Sequence, residues 1–236
     1  MFIRDAIILA GGLGTRLQSV VDDVPKSMAP VNGIPFLEYQ LTYLSDWGVK
    51  NAILAVGYKK ELIMDHFGHH YKDLKIIYAE EDEPLGTGGA IKKAMEYVVA
   101  RNVLILNGDT YFKVSFDKLL MIYQIKKSKV MVVLKEVPDI SRYGTVKIDY
   151  NGKVTGFSGK GKNKGKGFVN GGVYYINKAF FESFDFPEKF SFEKDFLEKY
   201  YPEYEFHGMV CNQYFLDIGV PEDYKKAQDD FKEFEH

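Results

Sequence analysis

The chain has 236 residues, 46% hydrophobic and 27% charged, proportions that suit a folded globular domain with a sizeable core and argue against intrinsic disorder. A formal net charge of -2 supplies no global basic field of the kind that draws a protein onto nucleic acid or an acidic membrane, so any anion site must be local. The one cysteine, Cys211, cannot form an internal disulfide, the N-terminal run lacks signal-peptide organisation and no segment has the length to span a bilayer, so a cytoplasmic protein is expected.

The first apolar run, Ala6 to Leu9, leads through Ala10 into Gly11-Gly12-Leu13-Gly14-Thr15-Arg16-Leu17, with Pro25-Lys26 shortly after. A buried strand that ends in a glycine-rich turn lets backbone amides approach phosphates, because no side chains intervene. Phe36, Leu37, Gln40, Leu41 and Leu44 fall at helical spacing and predict a helix over 36–47, with Gly48 placed to cap it. Strands at 51–56, 75–78 and 103–106 alternate with helices at 60–67 and 88–99, a β-α-β pattern that implies a buried, mostly parallel sheet in an α/β fold. A helix over 116–127 and a strand over 130–134 follow.

After Pro138 the texture changes. Residues 143–148 and 153–157 flank Asp149-Tyr150-Asn151-Gly152 and read as a hairpin, and Gly159 to Gly167 reads as a mobile glycine-lysine loop. A strand at 173–176, a short helix at 192–200, a strand at 215–218 and a helix starting at Pro221 complete the chain. With no repeat or linker, a single domain over 1–236 is expected, divided into halves of about 1–137 and 138–236.

The glycine turn alone is ambiguous. As a dinucleotide fingerprint its third glycine would fall at Leu17, and as a P-loop its lysine, Lys26, lies too far on; a plain tight turn is the bland alternative. Further motifs narrow the choice: Glu83-Pro84-Leu85-Gly86-Thr87-Gly88-Gly89, Asn107-Gly108-Asp109, Tyr143-Gly144, Asn170-Gly171-Gly172-Val173-Tyr174 and Asp217-Ile218-Gly219-Val220-Pro221. Together with Gly11 to Leu17 and Pro25-Lys26-Ser27-Met28-Ala29-Pro30-Val31, they resemble the sugar-1-phosphate nucleotidyltransferases over nearly the whole chain. The resemblance implies a Rossmann-like three-layer fold with a mostly parallel sheet and a smaller β-rich sugar-binding part. It also implies reaction of a nucleoside triphosphate with a sugar 1-phosphate to give a nucleotide sugar and pyrophosphate.

That chemistry brings two anions together, so positioning and charge neutralisation dominate it. The resemblance assigns Arg16 to the departing phosphates, Lys26 to charge at the α-phosphate, and Asp109 and Asp217 to Mg²⁺. It places Leu9, Ala10, Gly11, Gly12, Gly14, Thr15, Arg16, Lys26, Glu81, Pro84, Gly86, Thr87 and Asp109 around the nucleotide. The form Glu81-Asp82-Glu83-Pro84 looks more like guanylyl members, and a carboxylate can accept both the N1 and N2 hydrogens of guanine, so GTP is favoured with Glu81 as reader; a solvated acidic loop is the alternative.

On the sugar side, Gly144, Lys160, Asn170, Gly172 and Glu193 are the candidates. The relatives' Phe-x-Glu-Lys-Pro is here Phe157-Ser158-Gly159-Lys160-Gly161, which keeps the lysine and loses the glutamate, and the register of the loop lysines stays open. His66, His69 and His70, with no cysteine nearby, read as a helix end rather than a zinc site. Over Ala10 to Leu17, Val20 to Val31 and Pro35-Phe36-Leu37-Glu38-Tyr39 the chain looks, among guanylyl members, most like the D-glycero-α-D-manno-heptose 1-phosphate guanylyltransferases, with mannose 1-phosphate as the competing substrate. A non-catalytic sensing subunit and a glycosyltransferase of related fold are the other readings. GTP and a sugar 1-phosphate are the expected partners, with no nucleic acid, no membrane, and a homodimer as an option.

Overall fold

The computed structural model describes residues 2–12, 21, 24–159, 161 and 164–233. Strand β1 (Asp5–Leu9) precedes a 3-10 turn at Lys26–Met28, the small hairpin β2 (Pro30–Val31) and β3 (Ile34–Pro35), and helix α1 (Phe36–Asp46). Then come β4 (Asn51–Val56), α2 (Lys60–Phe67), β5 (His70–Tyr71), β6 (Leu74–Glu80), α3 (Gly86–Met95), β7 (Asn102–Asn107), β8 (Thr110–Phe112), α4 (Phe116–Lys126) and β9 (Val130–Val137). The remainder is β10 (Thr145–Ile148), β11 (Val154–Ser158), β12 (Gly167–Asn177), α5 (Lys178–Glu182), a π-helical segment Phe192–Leu197 running into α6 (Glu198–Tyr200), β13 (Phe206–Val210), β14 (Phe215–Asp217) and α7 (Pro221–Asp230).

Four strands run parallel in the order β7-β1-β4-β6, with Ile7 opposite Ile53 on one side and Ile105 on the other. Because side chains alternate across a strand, Ala6, Ile8 and Ala10 face one layer, containing Leu37, Leu41, Ile63 and Leu119 of α1, α2 and α4. Ile7 faces the other, with Ile91 and Ala94 of α3, Phe181 of α5 and Phe196. Each such buried Ile, Leu or Phe contributes roughly 1.5–3 kcal/mol relative to exposure, which is why the sheet is covered on both sides. A third cluster, with Phe36, Tyr39, Tyr111, Leu216, Ile218 and Phe231, seats α7 against α1 and the β8-β14 pair.

Three elements differ from the sequence expectation for visible reasons. Helix α3 ends at Met95 rather than Val99, because the Val99 and Ala100 amides donate to the buried Asp5 carboxylate at 2.8 and 2.7 Å instead of continuing the helix. The strand expected at 173–176 is the second half of β12, whose register against β9 shifts between Asn170 and Tyr174, where Gly172 has φ +68°. On either side of that shift, at 167–170 and 174–176, β12 pairs antiparallel with β9; it touches β10 at Thr145–Val169 and pairs with β7 from Val173 onward. The expected helix at 192–200 begins as a π-turn. Strands β8 and β13 and helix α5 were not legible from periodicity. The 143–157 hairpin forms as β10 and β11, its turn tied by the Asn151 and Lys153 amides to Asp149. Among the described residues no helix is long and apolar enough to cross a membrane.

Candidate active site

From β1 the sheet grows to β4 and β6 on one side and to β7 on the other, so the order of strands reverses between β1 and β7. In open α/β sheets ligands lie outside the carboxyl ends of the strands at such a point. Here those ends are Leu9 and Asn107, directly paired, and a cavity of about 520 Å³ opens beside them.

Ten of the expected nucleotide residues line this cavity: Leu9, Ala10, Gly11, Gly12, Lys26, Glu81, Pro84, Gly86, Thr87 and Asp109. Gly14, Thr15 and Arg16 lie outside the described residues, as does Lys160. The Ala10 amide donates to the Ala55 carbonyl at 2.9 Å, carrying the β1–β4 pairing past the end of the strand. Gly11 then passes so close to β4 that a Cβ there would sit 2.8 Å from the Gly57 nitrogen, so the turn requires glycine for approach rather than for a positive φ. Pro84, Gly86 and Thr87 line the cavity at the start of α3, where the Gly88 amide is already taken by the Phe190 carbonyl at 3.0 Å.

Lys26 sits on the 3-10 turn, which is anchored by the Ser27 hydroxyl donating to the Ala10 carbonyl at 3.1 Å. Its ammonium lies 2.5 Å from Asp109 Oδ2 and 3.7 Å from Asp217 Oδ1, with only 10% of the lysine side chain exposed. The two aspartates, distant in sequence, meet because β14 pairs antiparallel with β8, placing Asp217 opposite Thr110. The Ile218 amide donates to the Asp109 carbonyl at 3.0 Å, and the Gly219 amide fixes Asp217 Oδ1 at 2.7 Å. A Cβ on Gly219 would fall 2.6 Å from that oxygen and 2.7 Å from the Lys26 nitrogen, so the cluster is packed up to its edge.

Of the acidic run, Glu80 pairs with Lys60 at 3.0 Å and stays out of the cavity, whereas Glu81, Asp82 and Glu83 all line it; Asp82 also lies 3.6 Å from Lys60, and Glu81 accepts the Leu85 amide at 3.0 Å. Burial raises the Glu81 carboxyl above its ordinary range, opposed by the Leu85 amide and by Lys93.

None of the described sugar-side candidates, Gly144, Asn170, Gly172 and Glu193, belongs to the cavity lining. The Asn170 amide donates to the Gly144 carbonyl and the Asn170 side chain accepts from the Gly172 amide, both at 3.1 Å. Glu193 accepts the hydroxyls of Thr87 at 2.7 Å and Ser191 at 3.1 Å, so it is bonded to a nucleotide-side residue. Tyr174 joins the two sets: burial pushes its phenol far up, the charges of Glu193 and Asp109 add to that, and a hydrogen bond with Asn170 opposes it. Sequence reading did not single out Tyr174, nor the cavity residues Tyr58 and Asn107; for Asn107 and Tyr174 the signal was their place inside the quoted motifs. His66 rests 3.4 Å from Glu38, consistent with a helix end.

A family model described as nucleotidyl transferase matches residues 5–233. The chain is 48% identical over 232 residues to a D-glycero-alpha-D-manno-heptose 1-phosphate guanylyltransferase of Aneurinibacillus thermoaerophilus, covering 98% of this chain and 99% of that protein. Identity to the protein of the same name from Campylobacter jejuni is 46% over 219 residues, 93% of this chain and 96% of that one. The crystal structure of HddC from Yersinia pseudotuberculosis complexed with GMP-PN is similar with a TM-score of 0.86 at 41% identity, over 97% of this chain and all of that chain. The matched span runs from β1 to the end of the described chain and takes in the glycine turn, Lys26 and both aspartates, and on that span the chain belongs to the nucleotidyl transferase family.

Proposed function

We propose that this protein transfers GMP from GTP to D-glycero-α-D-manno-heptose 1-phosphate, forming GDP-heptose and releasing pyrophosphate. The observation that carries the reading is the Lys26 ammonium held between Asp109 and Asp217 at the edge of a cavity that also presents Glu81. The names and near-complete coverage of the relatives support the choice of nucleotide and sugar. GTP as substrate agrees with a cytoplasmic enzyme, and GDP-heptose with supply of surface-glycan synthesis.

In this reaction a phosphate oxygen of the sugar 1-phosphate forms a bond to the α-phosphorus as the bond to the β-phosphate oxygen breaks, and pyrophosphate leaves with that electron pair. Two unit charges about 4 Å apart interact by roughly 4 kcal/mol at an effective dielectric near 20, so a few fixed cations offset much of the repulsion. Lys26 fills that role at the α-phosphate, with Arg16 assigned to the departing pyrophosphate. Backbone around Gly11 and Gly12 receives the triphosphate, and Pro84 to Gly88 at the start of α3 contacts the base and ribose. Glu81 reads guanine, its remaining lone pairs free to accept two base hydrogens beside the Leu85 amide.

Asp109 and Asp217 suit a Mg²⁺ ion. They already converge on one cation, Lys26, and Mg²⁺ commonly takes one or two protein carboxylates plus phosphate oxygens. When bound there it supplies charge neutralisation on the phosphates. Residues 1–137 then serve the nucleotide and 138–236 the sugar phosphate, with Gly144, Lys160, Asn170, Gly172 and Glu193 on the sugar side.

A pyrophosphate-release panel crossing GTP, ATP, CTP, UTP and dTTP with heptose, mannose and glucose 1-phosphates tests the reading. GTP with the manno-heptose is the expected best pair. UTP or dTTP with glucose 1-phosphate as best would remove the guanine assignment, and mannose 1-phosphate as best would change the sugar.

A further inference from the structure

Gln40 is 3% exposed and lies on α1 among Phe36, Leu37, Leu41 and Leu44, the stripe that packs inward. A primary amide in such a stripe is costly unless its polar atoms find partners. Its nitrogen finds two, donating to the Asn107 carbonyl at 2.8 Å and to the Thr110 carbonyl at 2.7 Å, while its oxygen is buried without a partner among the described residues. Because both facing groups are carbonyls, only the amino end of the side chain can point at them, which settles its orientation chemically.

Asn107 and Thr110 are the first and last residues of the turn Asn107-Gly108-Asp109-Thr110. The middle of that turn is held from the sheet, by the Gly108 amide donating to the Leu9 carbonyl at 3.1 Å and the Ile218 amide donating to the Asp109 carbonyl. Its two ends are held from the helix layer by one nitrogen. The carboxylate so framed is the one 2.5 Å from Lys26.

We propose that Gln40 is a positioning residue for the reaction: it clamps the 107–110 turn from α1 and thereby aims Asp109 at Lys26 and at the Mg²⁺ position. Its catalytic consequence rests on the reading of Asp109 as a metal-binding carboxylate, whereas the clamp itself rests on the two hydrogen bonds. Glutamine is the residue type that does this. One nitrogen carries both hydrogens; glutamate would set an oxygen against two carbonyls, and asparagine is one methylene shorter.

The test uses the full chain with Gln40→Met, which keeps length and loses both donors, and Gln40→His, which offers a single ring N–H. Measured quantities are the melting temperature, Mn²⁺ affinity by electron paramagnetic resonance with a non-hydrolysable GTP analogue present, kcat and KM for GTP, and a crystal structure of Gln40→Met. The expectation is a kcat lowered about ten- to hundredfold and Mn²⁺ affinity weakened about tenfold, with the KM for GTP within about threefold of the unaltered enzyme. Asp109 should be displaced from Lys26 in the crystal, and Gln40→His should recover part of the loss. Gln40→Met with turnover and Mn²⁺ affinity within about twofold of normal, whatever its melting temperature, reduces Gln40 to a packing residue and overturns the proposal; if Gln40→Met does not fold, the same thresholds apply to Gln40→Leu, which likewise loses both donors. Asp109→Asn separates the two readings. If it retains Mn²⁺ affinity and turnover, the metal assignment fails, while the position of Asp109 in the Gln40 variant still decides whether the clamp exists.

Discussion

Replacing Lys26 with methionine separates what the cluster contributes to chemistry from what it contributes to the fold. The lysine side chain is 10% exposed but its partners Asp109 and Asp217 are 34% and 24% exposed, so solvent screens the ion pairs. Breaking a fully buried pair costs 3–5 kcal/mol; with this screening a loss of about 1–2 kcal/mol is expected, a fall of roughly 2–8 °C in melting temperature for a chain of this size. Catalysis should suffer more. Loss of one preorganised charge at a developing anion lowers kcat by about 10²–10³, roughly 2.7–4 kcal/mol. Pyrophosphate release with GTP and heptose 1-phosphate measures the second effect and thermal denaturation the first. The variant also leaves two carboxylates facing each other without their internal cation, so Mg²⁺ should raise its melting temperature more than that of the unaltered protein. A kcat within about fivefold of normal, or a melting temperature that Mg²⁺ raises no further than usual, would refute the assignment of Lys26 as both the counter-ion of the aspartates and the α-phosphate cation.

Glu81→Gln should raise the KM for GTP about ten- to hundredfold, the range of a lost hydrogen bond to a charged group, and narrow the preference for GTP over ATP; an unchanged preference removes Glu81 as the guanine reader. Since burial raises the Glu81 carboxyl and guanine reading needs the carboxylate, the KM for GTP should climb as pH falls through that raised value, and Glu81→Gln should flatten this limb. Gly219→Ala places a methyl against Asp217 Oδ1 and Lys26 Nζ, so turnover and Mn²⁺ affinity should fall about tenfold while stability moves by no more than about 1 kcal/mol, read by the same kinetic and melting assays. His207 is buried, its imidazole shares a 3.1 Å hydrogen bond with Ser128, and burial lowers its pKa. Below the ordinary histidine value of about 6.5 the unfolded chain therefore binds a proton that the folded chain refuses. Stability falls with pH in that window, and urea titrations of His207→Gln should show a shallower acid slope.

How far the site was legible depends on which physical signal each residue carries. The parallel core was readable because Ile7, Ile53 and Ile105 belong to short apolar runs with nothing but sheet to enter, and they are paired in register. Asp217 was readable only through a motif, since nothing in periodicity pairs three residues at 110–112 with three at 215–217. The acidic run hid its answer: β6 ends at Glu80, which Lys60 takes, but Glu81, Asp82 and Glu83 all line the cavity, and only burial and the Leu85 amide, neither visible in a charge run, set Glu81 apart. Gln40 carried the plainest overlooked signal, a polar residue at core spacing, which needs a buried partner wherever it occurs. Thr87 and Glu193 show the opposite limit. They are candidates for different substrates, yet one hydrogen bond joins them, and the loop before Glu193 is bonded to the start of α3 through Phe190 to Leu85 and Gly88 to Phe190. A sugar hydroxyl that draws on the Glu193 carboxylate must therefore compete with, or add to, a bond that holds the nucleotide-side helix terminus. If Glu193 holds the sugar and Thr87 the nucleotide, as proposed, the placement of one substrate is physically linked to the placement of the other at that carboxylate.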